Sequence, residues 1–551
     1  MRVNPWGARI DMAGGHRRSP KFVALLLVVL GVGGLPQASP AQERYPPIRN
    51  VILMIGDGMG PQQVGLALQF ARAVRTGAGG LSRESLPEGL HLERALRSGQ
   101  TGFVQPSAHR VIVADSGCAA TALASGVETW SESIGVAVDG TIPETVVSVA
   151  RRTGRAAGLV SDTRLTHATP AAFGAHLPNR SGENEIARQL IGSGIEVMLS
   201  GGLRHFISTA AVTGIEREVA GAFPVMARRD DGLNLINQAR SGGYEVVFDR
   251  QGLLVSRGPR LLGLFAASGM PDGIEEHRHY GDPARRFPAL AEMTRRALEL
   301  LERDPQGFFL MVEGGQIDWA AHANDAGTLL HEMLRFDRAL GVILEWMKER
   351  TDTLLVITAD HETGSFGFSY SGSSLPQPAP VPAGPHAGDS FDPGLNFVQL
   401  DVLARLYGQS RSLTSIIEEV QQRGPERLPT LLREHLRFSL SDDDVARVME
   451  DEVNPYYVRG HELLGFPRVP KLADFGAFYP DVRNARTALI ARALAEEQGV
   501  VWGTGTHTST PVPIIAVGPI EAAKPFAGFH EQWEVGRLLQ AALLSPARST
   551  R

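Results

Sequence analysis

Short continuous runs of apolar residues alternate along most of the chain with segments in which apolar positions recur at helical spacing, as in residues 288–301. A continuous run, unlike an alternating one, is typical of a strand buried on both faces of a parallel sheet. The pattern predicts an α/β fold, a three-layer αβα sandwich with a mostly parallel central sheet. The predicted strands are residues 50–55, 111–114, 156–161, 196–199, 261–266, 308–312, 353–358 and 514–517.

One long segment breaks this alternation. Residues 371–395 are rich in Pro, Gly and Ser and have the composition of a linker or long loop. Residues 396–500 are mainly helical in pattern and more highly charged. We therefore interpret residues 371–500 as a mainly helical insertion, which divides the core into residues 44–370 and 501–551.

The N-terminus has the features of an export signal. Basic residues at positions 17, 18 and 21 precede an apolar stretch, residues 22–35, that is shorter than the roughly 20 residues of a membrane span. Small residues then suit cleavage after Ala41. We predict that residues 1–41 are a signal peptide and that the mature protein is periplasmic or extracellular, without a membrane span. An uncleaved anchor helix is the alternative, and the export route, Sec or twin-arginine, stays open.

Composition and charge narrow the class of protein. The chain has 551 residues and a formal net charge of -6, without the basic excess typical of a nucleic-acid-binding module. Its single cysteine, Cys118, excludes an internal disulfide framework. These properties are those of an ordinary globular protein with a large core.

Carboxylates follow or end three of the predicted strands, at Asp57, Glu313 and Asp360. Open parallel sheets bind ligands at the carboxyl ends of their strands, so these side chains converge if the three strands are neighbours. Singly, each has a simpler interpretation as a turn residue or half of a salt bridge. Together they predict a metal site, because imidazole with carboxylate suits zinc, and carboxylate with hydroxyl and water suits magnesium. The further candidate ligands are Asp318 and His322, one helical turn apart, His361 and His507.

A candidate nucleophile lies where the predicted strand 111–114 meets a helix. Ser116 is at or beside the N-terminus of that helix, where free N–H groups and the helix dipole favour an anion. Serine commonly caps a helix at such a position, and the alternative is a nucleophile that attacks an anionic ester. Arg180 is likewise either a solvated side chain or a clamp for an anion.

Several segments, taken together, resemble the alkaline phosphatase family. They occur in the family's order, and the resemblance covers roughly residues 49–370 and 501–545. It implies that Ser116 is a nucleophile that forms a phosphoseryl intermediate, and that Arg180 holds two phosphate oxygens through its fork. The matching segments are residues 55–60 (Ile-Gly-Asp-Gly-Met-Gly), 115–122 (Asp-Ser-Gly-Cys-Ala-Ala-Thr-Ala), 167–171 (His-Ala-Thr-Pro-Ala), 312–318 (Val-Glu-Gly-Gly-Gln-Ile-Asp), 359–362 (Ala-Asp-His-Glu) and 507–508 (His-Thr).

The same resemblance implies two zinc ions and one magnesium ion as cofactors. The implied ligands are Asp318, His322 and His507 for one zinc, Asp57, Asp360 and His361 for the other, and Asp57, Thr169 and Glu313 for magnesium.

The chain departs from one bacterial pattern of this family at His167, where some members have Asp, and at Trp319, where some have Lys. Both are expected to lie behind the direct ligands and to affect magnesium and phosphate binding. The long insertion resembles that of the large-insert bacterial subgroup, in which such a segment reaches the partner subunit. We therefore predict a homodimer.

The expected function is that of a secreted zinc phosphomonoesterase acting on small-molecule phosphate monoesters. Two other classes stay open: a phosphodiesterase or phosphomutase on the same fold, and a periplasmic metal or phosphate binder without enzymatic activity. A sulfatase is disfavoured, because neither Ser116 nor Cys118 lies in a C/S-x-P-x-R context. The sequence does not indicate the physiological substrate.

Overall fold

The computed structural model describes residues 48–461, 464–472 and 482–544. The predicted signal peptide, residues 1–41, lies outside these ranges. Within them, no helix combines the length and the apolar character that a membrane crossing requires.

Strands occur throughout the described chain, and most of the longer ones coincide with the predicted apolar runs. The strands are β1 (Asn50–Gly56), β2 (Gln100–Gln105), β3 (Ala156–Arg164), β4 (Val197–Gly201), β5 (Glu245–Val247), β6 (Leu261–Leu264), β7 (Phe308–Gly314), β8 (Thr353–Thr358), β9 (Glu362–Thr363), β10 (Phe366–Phe368), β11 (Ala379–Pro380), β12 (Ser390–Phe391), β13 (Asp451–Val453), β14 (Arg468–Pro470), β15 (Val500–Trp502), β16 (His507–Thr508), β17 (Val512–Val517) and β18 (Gly528–Glu531).

A ten-stranded sheet forms the centre of the molecule, in the order β18-β2-β17-β8-β1-β7-β3-β4-β6-β5. Among these strands, β17 is antiparallel to both of its neighbours, and all other neighbouring pairs are parallel. Strand β1 is fully buried and lies between β7 and β8. The mostly parallel sheet predicted from the continuous apolar runs is confirmed.

Helices cover both faces of this sheet. Helices α11 and α13 pack together over β3 and β7, whereas α4 and α20 pack on the opposite face, with α3 against α20. The predicted three layers are thus confirmed. The helices are α1 (Pro61–Thr76), α2 (His91–Ser98), α3 (Ser116–Ser125), α4 (Val146–Arg152), α5 (Ala168–Ala171), α6 (Glu183–Gly192), α7 (Val212–Val219), α8 (Leu235–Ser241), α9 (Arg250–Val255), α10 (Gly273–His279), α11 (Leu290–Leu301), α12 (Gln316–His322), α13 (Ala326–Met347), α14 (Val402–Tyr407), α15 (Leu413–Arg423), α16 (Leu428–His435), α17 (Asp442–Met449), α18 (Val482–Gln498), α19 (Ile520–Ala523) and α20 (Gln532–Leu544).

One predicted strand is wrong. Residues 111–114 form a loop before α3, and their only pairing in the described structure is a single bridge between Val111 and Ala108. Val111, Ile112 and Val113 are exposed rather than buried. The positions on either side of β2 are occupied by β17 and β18, which come from the C-terminal part of the chain. The apolar run therefore has no strand partner beside β2, and a local pattern does not contain that information.

The segment interpreted as an insertion, residues 371–500, holds helices α14–α18 and short two-stranded pairs. Its first helix, α14, packs against α13 of the core. A buried carboxylate joins the two parts: Asp325, which caps the start of α13, accepts hydrogen bonds from Gln409 Nε2 at 2.9 Å and from the N–H of Leu413 at 2.7 Å.

Candidate active site

The carboxyl ends of three adjacent strands bring the predicted carboxylates together. Strand β1 pairs in parallel with β7 on one side and with β8 on the other. Asp57 follows β1, Glu313 lies at the end of β7, and Asp360 follows β8. All three are fully buried. The three strands are therefore neighbours, which was the condition for the predicted convergence of their carboxylates.

Glycine is required where the chain leaves β1. Gly58 has a φ of 77°, a left-handed conformation that side chains other than glycine adopt at a cost. A Cβ at this position would lie 2.8 Å from Cα of Asp318. The glycine thus allows the β1 loop to lie against the helix that carries Asp318, and its N–H donates to Asp360 Oδ1 at 3.1 Å.

The first ligand group is Asp318, His322 and His507. Nδ1 of His322 is 2.7 Å from the Gly505 carbonyl and Nδ1 of His507 is 3.0 Å from the Ala114 carbonyl, so each Nδ1 is the protonated nitrogen. The two Nε2 atoms then face each other at 3.0 Å, at 3.3 and 3.5 Å from the Asp318 carboxylate. Two imidazole lone pairs converging beside a buried carboxylate form a ligand set for a cation such as zinc.

Asp318 differs in charge from the other carboxyls of the site. Its burial opposes ionisation, but the neighbouring His322 and His507 hold the pKa of Asp318 well below its ordinary value. Thr363 also donates to Asp318 Oδ1, at 2.5 Å. Asp318 is therefore an ionised carboxylate in the first candidate ligand group.

The second ligand group is Asp57, Asp360 and His361, whose potential ligand atoms lie within 4.8 Å of one another. Nε2 of His361 is 3.3 Å from Asp360, 3.5 Å from Asp57 and 3.2 Å from Oγ of Ser116. In a serine–histidine–carboxylate triad the carboxylate contacts the other ring nitrogen. Here serine and both carboxylates meet the same nitrogen, which is the arrangement of a metal ligand set with the serine beside it.

The third group lies between β3 and β7. Glu313 accepts hydrogen bonds from the hydroxyls of Ser161 and Thr163 through Oε2. Thr169 Oγ1 is 3.5 Å from Asp57 Oδ2. A ring nitrogen of His167 also lies within 4.8 Å of the carboxylate oxygens of Asp57 and Glu313, close enough to contribute a ligand itself. Carboxylates with a hydroxyl suit magnesium.

Buried acceptors at the site lack protein donors. Asp57 Oδ1, Glu313 Oε1 and Asp360 Oδ2 have no hydrogen-bond partner among the described residues. Burial, and after it the charges of neighbouring carboxyls, raises the pKa of Asp57 well above its ordinary value. Burial likewise raises the pKa of Glu313 to about 8 and that of Asp360 to about 6. Such a cluster is satisfied by cations, so the donor set fits bound metal ions.

Ser116 is the first residue of α3, and the helix cap is Asp115. The Asp115 carboxylate accepts from the N–H groups of Gly117 at 2.9 Å and Cys118 at 3.4 Å, which leaves the Ser116 hydroxyl to His361. Nη1 of Arg180 donates to Asp115 at 2.8 Å. The candidate nucleophile, Ser116, and the candidate anion clamp, Arg180, are thus joined through the carboxylate of Asp115.

Arg180 and Trp319 both contact His167. Nη2 of Arg180 is 3.2 Å from Nε2 of His167, and the Trp319 ring packs edge-on against His167 with centroids 5.8 Å apart. Burial, followed by the charges of Arg180 and Arg164, lowers the pKa of His167 well below its ordinary value, so the ring is neutral.

Sequence reasoning identified the candidate ligands but missed the residues that hold them. Asp115 directly precedes Ser116, and an Asp–Ser pair before an apolar run is a capping signal for either residue. Ser161 ends the predicted strand 156–161, and Thr163 follows it two residues later. Thr363 has no local signal, because its contact with Asp318 joins segments 45 residues apart.

Comparisons with known proteins identify the family that this chain is similar to. The family model described as alkaline phosphatase matches residues 48–545. Alkaline phosphatase 3 of Bacillus subtilis (strain 168) is 29% identical, covering 93% of this chain and 94% of the relative. The streptomycin-6-phosphate phosphatase of Streptomyces griseus is 33% identical, covering 74% of this chain and 92% of its own. The crystal structure of Thermus thermophilus alkaline phosphatase superposes with a TM-score of 0.70 at 28% identity, covering 93% and 95%.

Proposed function

Because the chain belongs to the alkaline phosphatase family, whose members are metal-dependent phosphoric monoester hydrolases, we propose that it hydrolyses phosphate monoesters through Ser116. The oxygen of Ser116 forms a bond to phosphorus while the bond between phosphorus and the leaving oxygen breaks. Water then cleaves the phosphoseryl intermediate and releases inorganic phosphate. A serine already free of the capping role is suited to this attack.

Arg180 positions the phosphoryl group. Its side chain is partly buried, and although burial opposes its charge, Asp115 holds the pKa of Arg180 above its ordinary value. The charged fork presents parallel N–H donors to two phosphate oxygens. Because Asp115 also caps α3, the clamp and the attacking oxygen keep a fixed relation, which lowers the entropy cost of aligning the substrate.

The three ligand groups would hold two zinc ions and one magnesium ion. One zinc would take Asp318, His322 and His507, the other Asp57, Asp360 and His361, and magnesium would take Asp57, Glu313 and Thr169. Metal ions in such a site lower the pKa of coordinated oxygens and neutralise charge that develops in in-line displacement.

The observation that carries the proposal is the convergence of unpartnered carboxylate oxygens around Ser116 and Arg180. A site that only bound metal would not need a serine at a helix N-terminus facing the ligand set. A site that only bound phosphate would not need buried carboxylates, which repel it.

Ser116→Ala tests the nucleophile. We expect kcat for p-nitrophenyl phosphate to fall by several orders of magnitude, because the covalent step is lost, with some direct hydrolysis remaining. Ser125→Ala, a buried serine of the same helix, is the control and should retain activity. Mass spectrometry of acid-quenched enzyme should show a phosphoryl group on wild-type protein alone. Turnover of Ser116→Ala at the wild-type rate, or preferential hydrolysis of bis-p-nitrophenyl phosphate, would contradict the proposal.

We also propose export, after removal of residues 1–41, and assembly as a homodimer supported by residues 371–500. The apolar segment at the N-terminus and the resemblance of the insertion to that of the large-insert subgroup support these statements.

A further inference from the structure

The indole of Trp319 lies beside the phosphate clamp, and a group of arginines lies beside the indole. The Trp319 ring packs against His167, which Arg180 contacts. The guanidinium carbon of Arg164 is 5.8 Å from the centroid of the Trp319 ring. Gly269 makes room for the indole, since a Cβ there would be 2.5 Å from it. The ring is therefore held in place between the clamp and Arg164.

Two further arginines extend this positive region. The N–H of Arg228 donates to the carbonyl of Arg204 at 2.7 Å, and burial, followed by the charges of Arg164 and Arg228, lowers the pKa of Arg204. Nε of Arg204 is 3.0 Å from Nε2 of His205. Arg228 is exposed, and neither Arg204 nor Arg228 has an ion-pair partner among the residues that the structure describes.

Negative charge in this region does not balance the three arginines. Glu183 pairs with Arg164 at 2.8 Å, and Arg164 helps to lower the pKa of Glu183 despite burial. His205, 3.3 Å from Glu183, adds no charge at neutral pH, because burial and the arginines lower its pKa to about 4. Three guanidinium groups against one carboxylate leave an excess of positive charge beside the site.

We propose that Trp319, Arg164, Arg204 and Arg228 form a subsite for the leaving group of the substrate, which binds a second phosphate group on that leaving group. The proposal deepens the proposed function, on which it rests, by assigning a substrate class: small molecules that carry two phosphate groups. The phosphate to be transferred lies between Ser116 and Arg180, and the leaving group extends past His167 along the indole. An aromatic face and unpaired guanidinium groups suit a leaving group that carries an anion at its far end.

The test compares kcat/KM for fructose 1,6-bisphosphate with kcat/KM for fructose 1-phosphate, in wild-type enzyme and in variants. We expect wild type to prefer the bisphosphate. Arg228→Gln and Arg204→Gln should each lower this ratio about fivefold, the effect of one partly exposed charge contact. Arg228 is exposed and unpaired among the described residues, so its replacement does not threaten folding. Arg433→Gln, an exposed arginine of α16, makes the same charge change on the surface of the insertion and should leave the ratio at the wild-type value.

A binding measurement provides a second readout. Hexane-1,6-diylbisphosphonate, whose two phosphonates lie far enough apart to reach both positions, should inhibit wild type more strongly than hexylphosphonate, and the difference should shrink in Arg228→Gln and with added salt, which screens exposed charges. A wild-type ratio of one, a ratio unaffected by either arginine variant, or an equal fall in Arg433→Gln would overturn the subsite. These outcomes are distinct from failure of the proposed function, which Ser116→Ala and p-nitrophenyl phosphate decide separately.

Discussion

Replacing Arg335 with methionine is expected to destabilise the protein and to weaken its hold on metal. Arg335 of α13 is fully buried among three buried carboxyl groups. Its Nε is 3.0 Å from Glu276 and 3.6 Å from Asp162, and its Nη1 is 3.3 Å from Glu332. Methionine has a similar length and no charge, so the substitution removes the cation without leaving a large cavity.

This cluster holds the helix that carries two candidate zinc ligands. Oδ1 of Asp162 accepts hydrogen bonds from the N–H groups of Gly315 at 2.7 Å and Gln316 at 3.3 Å, where α12 begins. Nε2 of Gln316 also donates to the Asp162 carbonyl at 2.8 Å. Asp318 and His322 follow on this helix. Arg335 is thus a positioning residue that acts through Asp162.

The size of the stability loss in Arg335→Met depends on which of the three surrounding carboxyl groups are ionised. Burial raises the pKa of Glu332 to about 8, so this group is largely protonated at pH 7 and adds little charge. Although burial opposes it, Arg335 and Arg338 lower the pKa of Glu276. Removing Arg335 therefore leaves Arg338 as the one ion-pair partner of Glu276 among the described residues, and we expect a loss of about 3 kcal/mol in the free energy of unfolding.

The loss should grow with pH. Without Arg335 the pKa values of the remaining buried carboxyls rise above their unfolded values. Such groups contribute stability that is complete below the unfolded pKa and is lost as the pH rises through the folded one. The difference between variant and wild type should therefore be larger at pH 8 than at pH 5.

Urea-induced unfolding of the metal-loaded enzyme at both pH values, and the rate of zinc transfer to a chelator, measure these effects. Arg338→Gln is the control, because Arg338 is partly exposed and contacts Glu276 from the rim at 3.2 Å; its effect should be smaller. The losses in the free energy of unfolding caused by Arg335→Met and by Asp162→Asn should be far from additive when the two substitutions are combined. A loss below about 1 kcal/mol, or no coupling, would refute the reasoning.

Three further predictions concern the metals, the two departures from the bacterial pattern and the insertion. Because burial raises the pKa of Glu313 to about 8, the metal-free protein should lose thermal stability as the pH rises from 5 to 9, and zinc with magnesium should restore it; a flat profile would contradict this. The double variant His167→Asp with Trp319→Lys should bind phosphate more tightly, with lower KM and kcat and a greater need for added magnesium. Unchanged phosphate inhibition and KM would exclude that role. Replacing residues 371–500 with a short linker should give monomers in light scattering, whereas a monomeric full-length protein would count against the dimer.

The strands that build the site were predictable because their signal is local. A continuous apolar run followed by glycine or a carboxylate identifies β1, β7 and β8 wherever they lie in the sheet. Their order was not predictable in the same way, since β7 and β8 reach β1 only through pairings across more than 250 residues. The convergence of Asp57, Glu313 and Asp360 therefore stayed conditional until the sheet order was known.

The failure at residues 111–114 has the same origin. The apolar composition of that run favours a strand, but a strand also needs a partner, and in the described structure this run pairs only through the bridge between Val111 and Ala108. The chain instead crosses the surface as a loop and enters α3 at Asp115. A local pattern gives strand propensity, whereas the available sheet edges depend on the whole chain.

Asp115 explains how Ser116 is available for the proposed role of nucleophile at a position where serine usually caps a helix. Its carboxylate receives the free N–H groups of α3, the N–H of Glu132 at 2.7 Å and the guanidinium of Arg180. Glu132 adopts a left-handed φ of 63°, and its carbonyl accepts from the N–H of Arg180 at 2.7 Å. The Asp115 carboxylate thus holds Arg180, the N-terminus of α3 and the loop at Glu132 together. Since the helix already has its cap, the Ser116 hydroxyl is directed to His361 and the metal ligands.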